Sequence, residues 1–296
     1  MDSRRGMTLT ELLVTAASMA GLLAAFAPAL VTVKDAANRT VCAANLSNLG
    51  KALAFYAADH NGLLPDCGAA STLGGQVPRD GRHYPSRANA PGTCAWPHVR
   101  SVGNQANLWL LVRQDYASAR AFVCPATPDR PSVNSDRSPA VMGFLNIDPA
   151  TGRAVPGEDQ FLRRVAAGRC SYSYQNQFAH PDTDPDLVGM EAATTHQPFH
   201  SPRLPVLADR NPYTRTDLVR QPIVSPDEQP EANSLNHNGV GQNVLYLGGD
   251  VQWQETPRCG EVRADGRRDN IYWPDAGRPD DPLNLPRDPA DSFLVP

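Results

Sequence analysis

The side chains able to do chemistry are scattered along the chain rather than grouped. His196 and His200 stand four apart, the spacing that lets two imidazoles on one helix face share a zinc ion. Pro198 between them opposes a helix, and the glutamate of an H-E-x-x-H site is missing. Asp182, Asp184 and Asp186 alternate in an oxygen-rich loop that calcium could use, but the glycine and distal glutamate of an EF-hand are absent. A solvated acidic loop is the plainer reading, so no cofactor is expected. Asp209 and His237 could form a dyad, yet no nucleophile accompanies them. His237 directly precedes Asn238-Gly239, a turn signal, and reads as a hydrogen-bonding residue at the entrance of a hairpin. There is no G-x-S-x-G elbow, no phosphate-cradling loop and no dinucleotide fingerprint. Trp96, Trp109, Trp253 and Trp273 read as packing aromatics before they read as a sugar-binding surface. The expectation is a protein without catalytic or metal-binding residues, and not an enzyme.

A chain of 296 residues is long enough for a substantial core. Its net charge of -4 argues against a general nucleic-acid binder. A charged fraction of 20% excludes a protein of many membrane spans. The 28 prolines and 22 glycines call for many turns and short elements.

One segment departs from that average. Leu12 to Val33 runs without a charge, and as a helix it would span about 33 Å, the thickness of a bilayer core. Arg4 and Arg5 precede it, which places the N-terminus in the cytoplasm and the remaining chain outside. A cleaved secretory signal is the alternative, with Ala25-Phe26-Ala27 or Ala27-Pro28-Ala29 as the cleavage site. Against it stand Glu11 at the entrance of the run, the length of the run, and the helical pattern that continues beyond it.

The stretch Arg4-Arg5-Gly6-Met7-Thr8-Leu9-Thr10-Glu11-Leu12-Leu13 resembles the prepilin processing motif of type IV pilins and type II secretion pseudopilins. The resemblance implies cleavage by a prepilin peptidase between Gly6 and Met7, and N-methylation of Met7. It implies that Glu11 guides filament assembly by pairing with the N-terminal amine of a neighbouring subunit, and that Pro28 falls where many members also carry proline. The physics agrees. Gly6 has no side chain to block a protease. A carboxylate at the bilayer edge needs a partner. Pro28 removes one helical hydrogen bond and should kink the helix. The implied location is the bacterial inner membrane, with a single pass and the head in the periplasm or at the cell exterior. The implied partners are the peptidase, other pilin-like subunits and membrane lipid, with no nucleic acid. The implied function is a structural subunit of a secretion pseudopilus or pilus-like filament. The alternative is a membrane-tethered binding module that keeps a pilin-like N-terminus.

Past Lys34, apolar residues recur at Cys42, Leu46, Leu49, Leu53 and Tyr56, a helical stripe that Asn61-Gly62 and Pro65 bring to an end. A helix from Met7 to about Ala58 would be about 78 Å long. Val244 to Leu247, a Gly248-Gly249 turn and Val251 to Trp253 read as a hairpin. Ser171 to Tyr174 and Val206 to Ala208 are further strands, with Pro205 at the start of the second. The expected fold is α+β: a long N-terminal helix, membrane-spanning in its first half, packed on a small antiparallel sheet with long loops. The expected divisions are a leader (1–6), a stem helix (7–60), an exported head (61–273) and a Pro-rich tail (274–296), the last a loosely ordered strap.

Several head segments resemble a large bacterial group of pseudopilin-like proteins. Cys42-Ala43-Ala44-Asn45-Leu46 is similar to its C-x-x-N-L pattern, Phe122-Val123-Cys124-Pro125 to its F-x-C-P element, Cys170 to Tyr174 to its aromatic strand, and Leu207-Ala208-Asp209 to its L-A-D element. Its C-terminal signature is His, nine residues, then Asp-Gly. Here His237 is followed at one residue's longer spacing by Gly248-Gly249, so the Asp is lost. An exported domain permits disulfides, and six cysteines allow 15 complete pairings. Cys67 with Cys94 and Cys124 with Cys170 would each close a loop-rich insertion, while Cys42 on the stripe reads as core.

Overall fold

The structure is a computed structural model that describes residues 7–60, 62, 64–65, 105–132, 144, 168–175, 201–214, 223–263, 265–274, 278 and 291–295. Helix α1, Leu9–Asp59, begins where Thr8 and Glu11 form a capping box. It runs through Gly21 and Pro28 without interruption. The N–H of Gly62, at φ +83°, bonds back to Ala57 O at 2.7 Å and closes the last turn.

The two halves of α1 differ in what covers them. Large side chains from Leu9 to Val33 are exposed. Cys42, Leu46, Leu49, Leu53 and Tyr56, the stripe read from sequence, are all buried. Each buried Leu contributes about 1.5–3 kcal/mol by leaving water. Gly50 lets the helix settle on the sheet, since a Cβ there would lie 2.9 Å from Leu245 Cδ1.

The main sheet is antiparallel, with the strand order Val251–Gln254, Gln242–Tyr246, Pro205–Asp209, Tyr172–Gln175, Leu294–Val295. It comprises β1 (Tyr172–Gln175), β2 (Pro205–Asp209), β3 (Gln242–Tyr246), β4 (Val251–Gln254) and the two-residue β7 (Leu294–Val295). Leu207 of β2 pairs with Tyr174 of β1 and Leu245 of β3. Alternation sends Leu207 and Leu245 to the face packed on α1, and Ala208, Val244 and Tyr246 to the other. Both faces are covered, so β1, β2 and β3 are buried throughout. The second face carries Tyr213, Ile271 and Tyr272 beside the hairpin of β5 (Arg258–Val262) and β6 (Arg268–Asn270).

Three features differ from the sequence reading. Helix α2, Gln105–Arg113, lies in a stretch to which the sequence reading gave no element. Its run Leu108 to Val112 is buried on every side, so no polar face marks it as helical. The β5–β6 hairpin was not expected either. Its exposed Arg258, Val262 and Arg268 blur the alternation. Finally, the end of the tail is docked. Phe293 and Leu294 are buried, Leu294 N–H donates to Ile271 O at 2.8 Å, and Ser292 N–H donates to Asp269 Oδ2 at 2.7 Å.

Candidate functional site

Four side chains from four separate segments converge under the stem. Cys42 comes from the buried stripe of α1. Cys124 follows the 3-10 turn Ala119–Phe122. Asp209 is the last residue of β2. His237 ends the 3-10 turn Leu235–His237, where Asn238 reverses the chain at φ +58°. The Sγ, Nε2 and carboxylate oxygen atoms lie within 4.8 Å of one another. All four residues are buried, His237 being the most exposed at 4%.

The contacts are polar and specific. Cys42 Sγ donates to Asp209 Oδ1 at 3.1 Å. His237 Nε2 lies 3.4 Å from Asp209 Oδ2 and 3.5 Å from Cys124 Sγ. Asp209 is itself held from outside the cluster. Asn236 Nδ2 donates to its Oδ1 at 2.8 Å, Asn243 N–H to its Oδ2 at 2.7 Å, and the Tyr272 hydroxyl to its carbonyl at 2.7 Å. The Cys42 sulfur also meets the Tyr172 hydroxyl at 3.4 Å. The Trp253 ring closes one side, edge-on to His237 at 5.4 Å and beneath the Arg39 guanidinium at 4.3 Å.

These surroundings change proton affinities. Burial, with the hydrogen bond that the Cys42 thiol gives Cys124 and with the Asp209 charge, pushes the Cys42 thiol up. The Cys42 hydrogen bond, aided by His237 and opposed by burial, brings Cys124 down to about 7. Burial works against charging His237, but hydrogen bonds and attraction from Asp209 and Cys124 prevail and raise it to about 9. The arrangement is not that of a nucleophile triad. A triad places the acid on Nδ1 and the nucleophile on Nε2, whereas here both neighbours share Nε2. Two sulfurs, an imidazole and a carboxylate are instead the donor types of a metal-binding cluster.

A second buried polar group sits beside it. Asp129 pairs with Arg210 and accepts from Ser171 Oγ at 2.6 Å, and Ser171 Oγ accepts from Cys124 N–H at 2.9 Å.

Among the other residues singled out in the sequence, Cys124 and Cys170 are not bonded to each other. Cys124 belongs to the cluster. Cys170, pushed to about 12 by burial, donates to Tyr172 O at 3.5 Å. Cys67, Cys94, Gly6, Trp96, His196, His200 and the Asp182–Asp186 loop lie outside the described residues. Met7 is 65% exposed, just ahead of α1. Glu11 Oε2 accepts from Thr8 N–H at 2.8 Å. Gly248 and Gly249 form the β3–β4 turn, with Gly249 at φ +90°. His237 is the hydrogen-bonding residue expected, and Asp209 is its neighbour as the dyad reading allowed. The two cysteines beside them went unnoticed as donors. Yet Cys42, Cys124, Asp209 and His237 come one each from the C-x-x-N-L, F-x-C-P, L-A-D and C-terminal signature segments, and that was the available signal.

No family model matches the chain, and no curated protein or solved structure is similar enough to it to count as a match. Among the described residues, one helix, Leu9–Asp59, is long and apolar enough to cross a membrane.

Proposed function

We propose that the chain is a pilin-like structural subunit, anchored in a bacterial inner membrane by the first half of α1, released for assembly by a prepilin peptidase, and packed through that helix into a pseudopilus or pilus-like filament. The observation that carries the reading is the division of α1. A bare apolar half follows the Gly6-Met7…Glu11 motif, and the same helix continues into a half docked on the head. So much exposed apolar surface calls for lipid or neighbouring helices to cover it. The capping box adds a detail. Glu11 directs its carboxylate to the backbone N–H of Thr8, the residue after Met7. Cleavage would create the Met7 amine beside that carboxylate, at the positive end of the helix dipole. Extracted from the bilayer, such helices would bundle, with Glu11 exchanging its own cap for the amine of a neighbour.

Mass spectrometry of the mature N-terminus tests the processing step. An N-methylated Met7 is expected, and a start near Pro28 or Ala29 would sink the reading. Crosslinking separates a periodic filament from a solitary tether. Glu11→Ala should abolish assembly while cleavage continues. Glu11→Gln is the sharper variant, since glutamine can still complete a capping box. Loss of assembly in Glu11→Gln would assign the role to the charge, while assembly by both variants would remove Glu11 from the mechanism.

A further inference from the structure

We propose that Cys42, Cys124, Asp209 and His237 bind one Zn(II) ion in a closed tetrahedral site that staples the stem helix to the head. The inference is independent of filament assembly, because every donor lies in the docked half of the helix or in the head.

Donor chemistry comes first. Thiolate, imidazole and carboxylate are the ligand types of zinc, a borderline-soft ion with no preference for a square or octahedral field. An all-oxygen site would suit calcium or magnesium instead. Geometry comes second. Zinc–sulfur bonds of about 2.3 Å and zinc–nitrogen or zinc–oxygen bonds of about 2.0–2.1 Å, at tetrahedral angles, separate donors by about 3.3–3.8 Å. The contacts here are 3.1 Å from Cys42 Sγ to Asp209 Oδ1, 3.4 Å from His237 Nε2 to Asp209 Oδ2, and 3.5 Å from His237 Nε2 to Cys124 Sγ. These three separations lie within a few tenths of an ångström of tetrahedral ones, and all four donors lie within 4.8 Å of one another.

Third, the polar groups serve an ion better than they serve one another. His237 turns the same nitrogen to a carboxylate and a sulfur, and one N–H cannot satisfy both. A cation at the centre would take the Nε2 lone pair, both sulfurs and one carboxylate oxygen together. Fourth, an outer shell is in place. Asn236 Nδ2 and Asn243 N–H hold the Asp209 carboxylate from behind, as the partners of metal ligands do. Finally, four protein donors at buried positions leave no place for water, which marks a structural site and not a hydrolytic one. On binding, two S–H bonds give way to two S–Zn bonds and two protons pass to solvent, with a third where His237 carries one. The staple would fasten α1 to β2 and to the two turns that hold Cys124 and His237.

The test uses the full chain in detergent and reductant, stripped by a chelator and titrated with Co(II). One equivalent should bind, with the intense visible bands of tetrahedral cobalt and a thiolate-to-metal charge-transfer band, and Zn(II) should displace it. Cys42→Ser and Cys124→Ser should each weaken the charge-transfer band. Cys259→Ser, a buried thiol outside the cluster, should leave it unchanged. Asn236→Ala should keep the band but weaken affinity about 10–100-fold, as expected of a positioning residue. The wild-type spectrum decides the matter even if a cysteine variant fails to fold. A weak octahedral spectrum, a stoichiometry indifferent to the cysteines, or a Cys42–Cys124 disulfide as the main state of the unreduced chain would overturn the proposal.

Discussion

Leu23 and Leu49 lie on the same helix with the same side chain, yet one is 72% exposed and the other fully buried. The helical backbone is continuous between them, so local propensity does not explain the difference. The head does. From Cys42 onward the sheet and α2 receive one stripe of the helix, while before Lys34 its large apolar side chains stand exposed. A helix clothed in apolar residues all round is built for a surrounding that is itself apolar. A helix with one apolar stripe is built for a globular core. The comparison therefore assigns folding stability to the second half and leaves the first half free for lipid or neighbouring subunits.

The most direct way to break that comparison is to truncate one leucine in each half. Leu49→Ala should cost about 2–5 kcal/mol in denaturant unfolding of the detergent-solubilised chain, because it opens a cavity between α1 and the sheet. Leu23→Ala should stay within about 0.5 kcal/mol, having no packed neighbours to lose. Equal costs would mean that the first half folds against the head, and the division would fail.

Titration separates the halves again. Leu12 to Val33 contains no ionisable side chain, so the pH dependence of stability should come from the head. Burial lifts the Asp269 carboxyl to about 6, with the Arg263 guanidinium pulling the other way. A carboxyl whose folded value lies above its unfolded value of about 3.9 binds its proton more tightly in the native state. Its contribution is complete below about pH 4 and is lost as pH rises through about 6, on the order of 3 kcal/mol in all. Asp269→Asn should flatten that decline, read as the unfolding midpoint between pH 4 and pH 7. An unchanged slope would show that another group titrates there.

The parts legible in the sequence are those whose signal is local. The Cys42-to-Tyr56 stripe repeats at helical spacing, Gly248-Gly249 sits between two β-prone runs, and Pro205 opens a strand that it could not continue from the middle. The fold class and the stem follow from those. Helix α2 was hidden because its apolar run has no period, and β7 because two residues of strand leave no pattern. The cluster was hidden for a different reason. Cys42 is indistinguishable from an apolar stripe residue in a one-dimensional pattern, and its companions are a β2 terminus, a loop and a turn. Only the folding of the sheet against α1 makes them neighbours, so spacing rules written for local metal motifs pass over them. Asp209 and His237 were visible as a pair because each is polar within an otherwise apolar or turn-forming segment.

A modest effect should fall at the boundary between the halves. Arg39 ties the start of the docked half to the head: its guanidinium lies over the Trp253 ring, and its carbonyl accepts from Asn243 Nδ2 at 3.4 Å. The ring it covers is the one that packs edge-on to His237. A cation over an aromatic face at a partly exposed site is worth about 0.5–1 kcal/mol, so Arg39→Ala should lower stability by about that amount. Trp253→Leu removes the ring and its packing, so the single variant will cost more than the contact itself. A double-mutant cycle isolates the pair, and its coupling should be about 0.5–1 kcal/mol. A coupling near zero would move the start of the docked half to Cys42, one helical turn further on, and leave the side chain of Arg39 with the bare half.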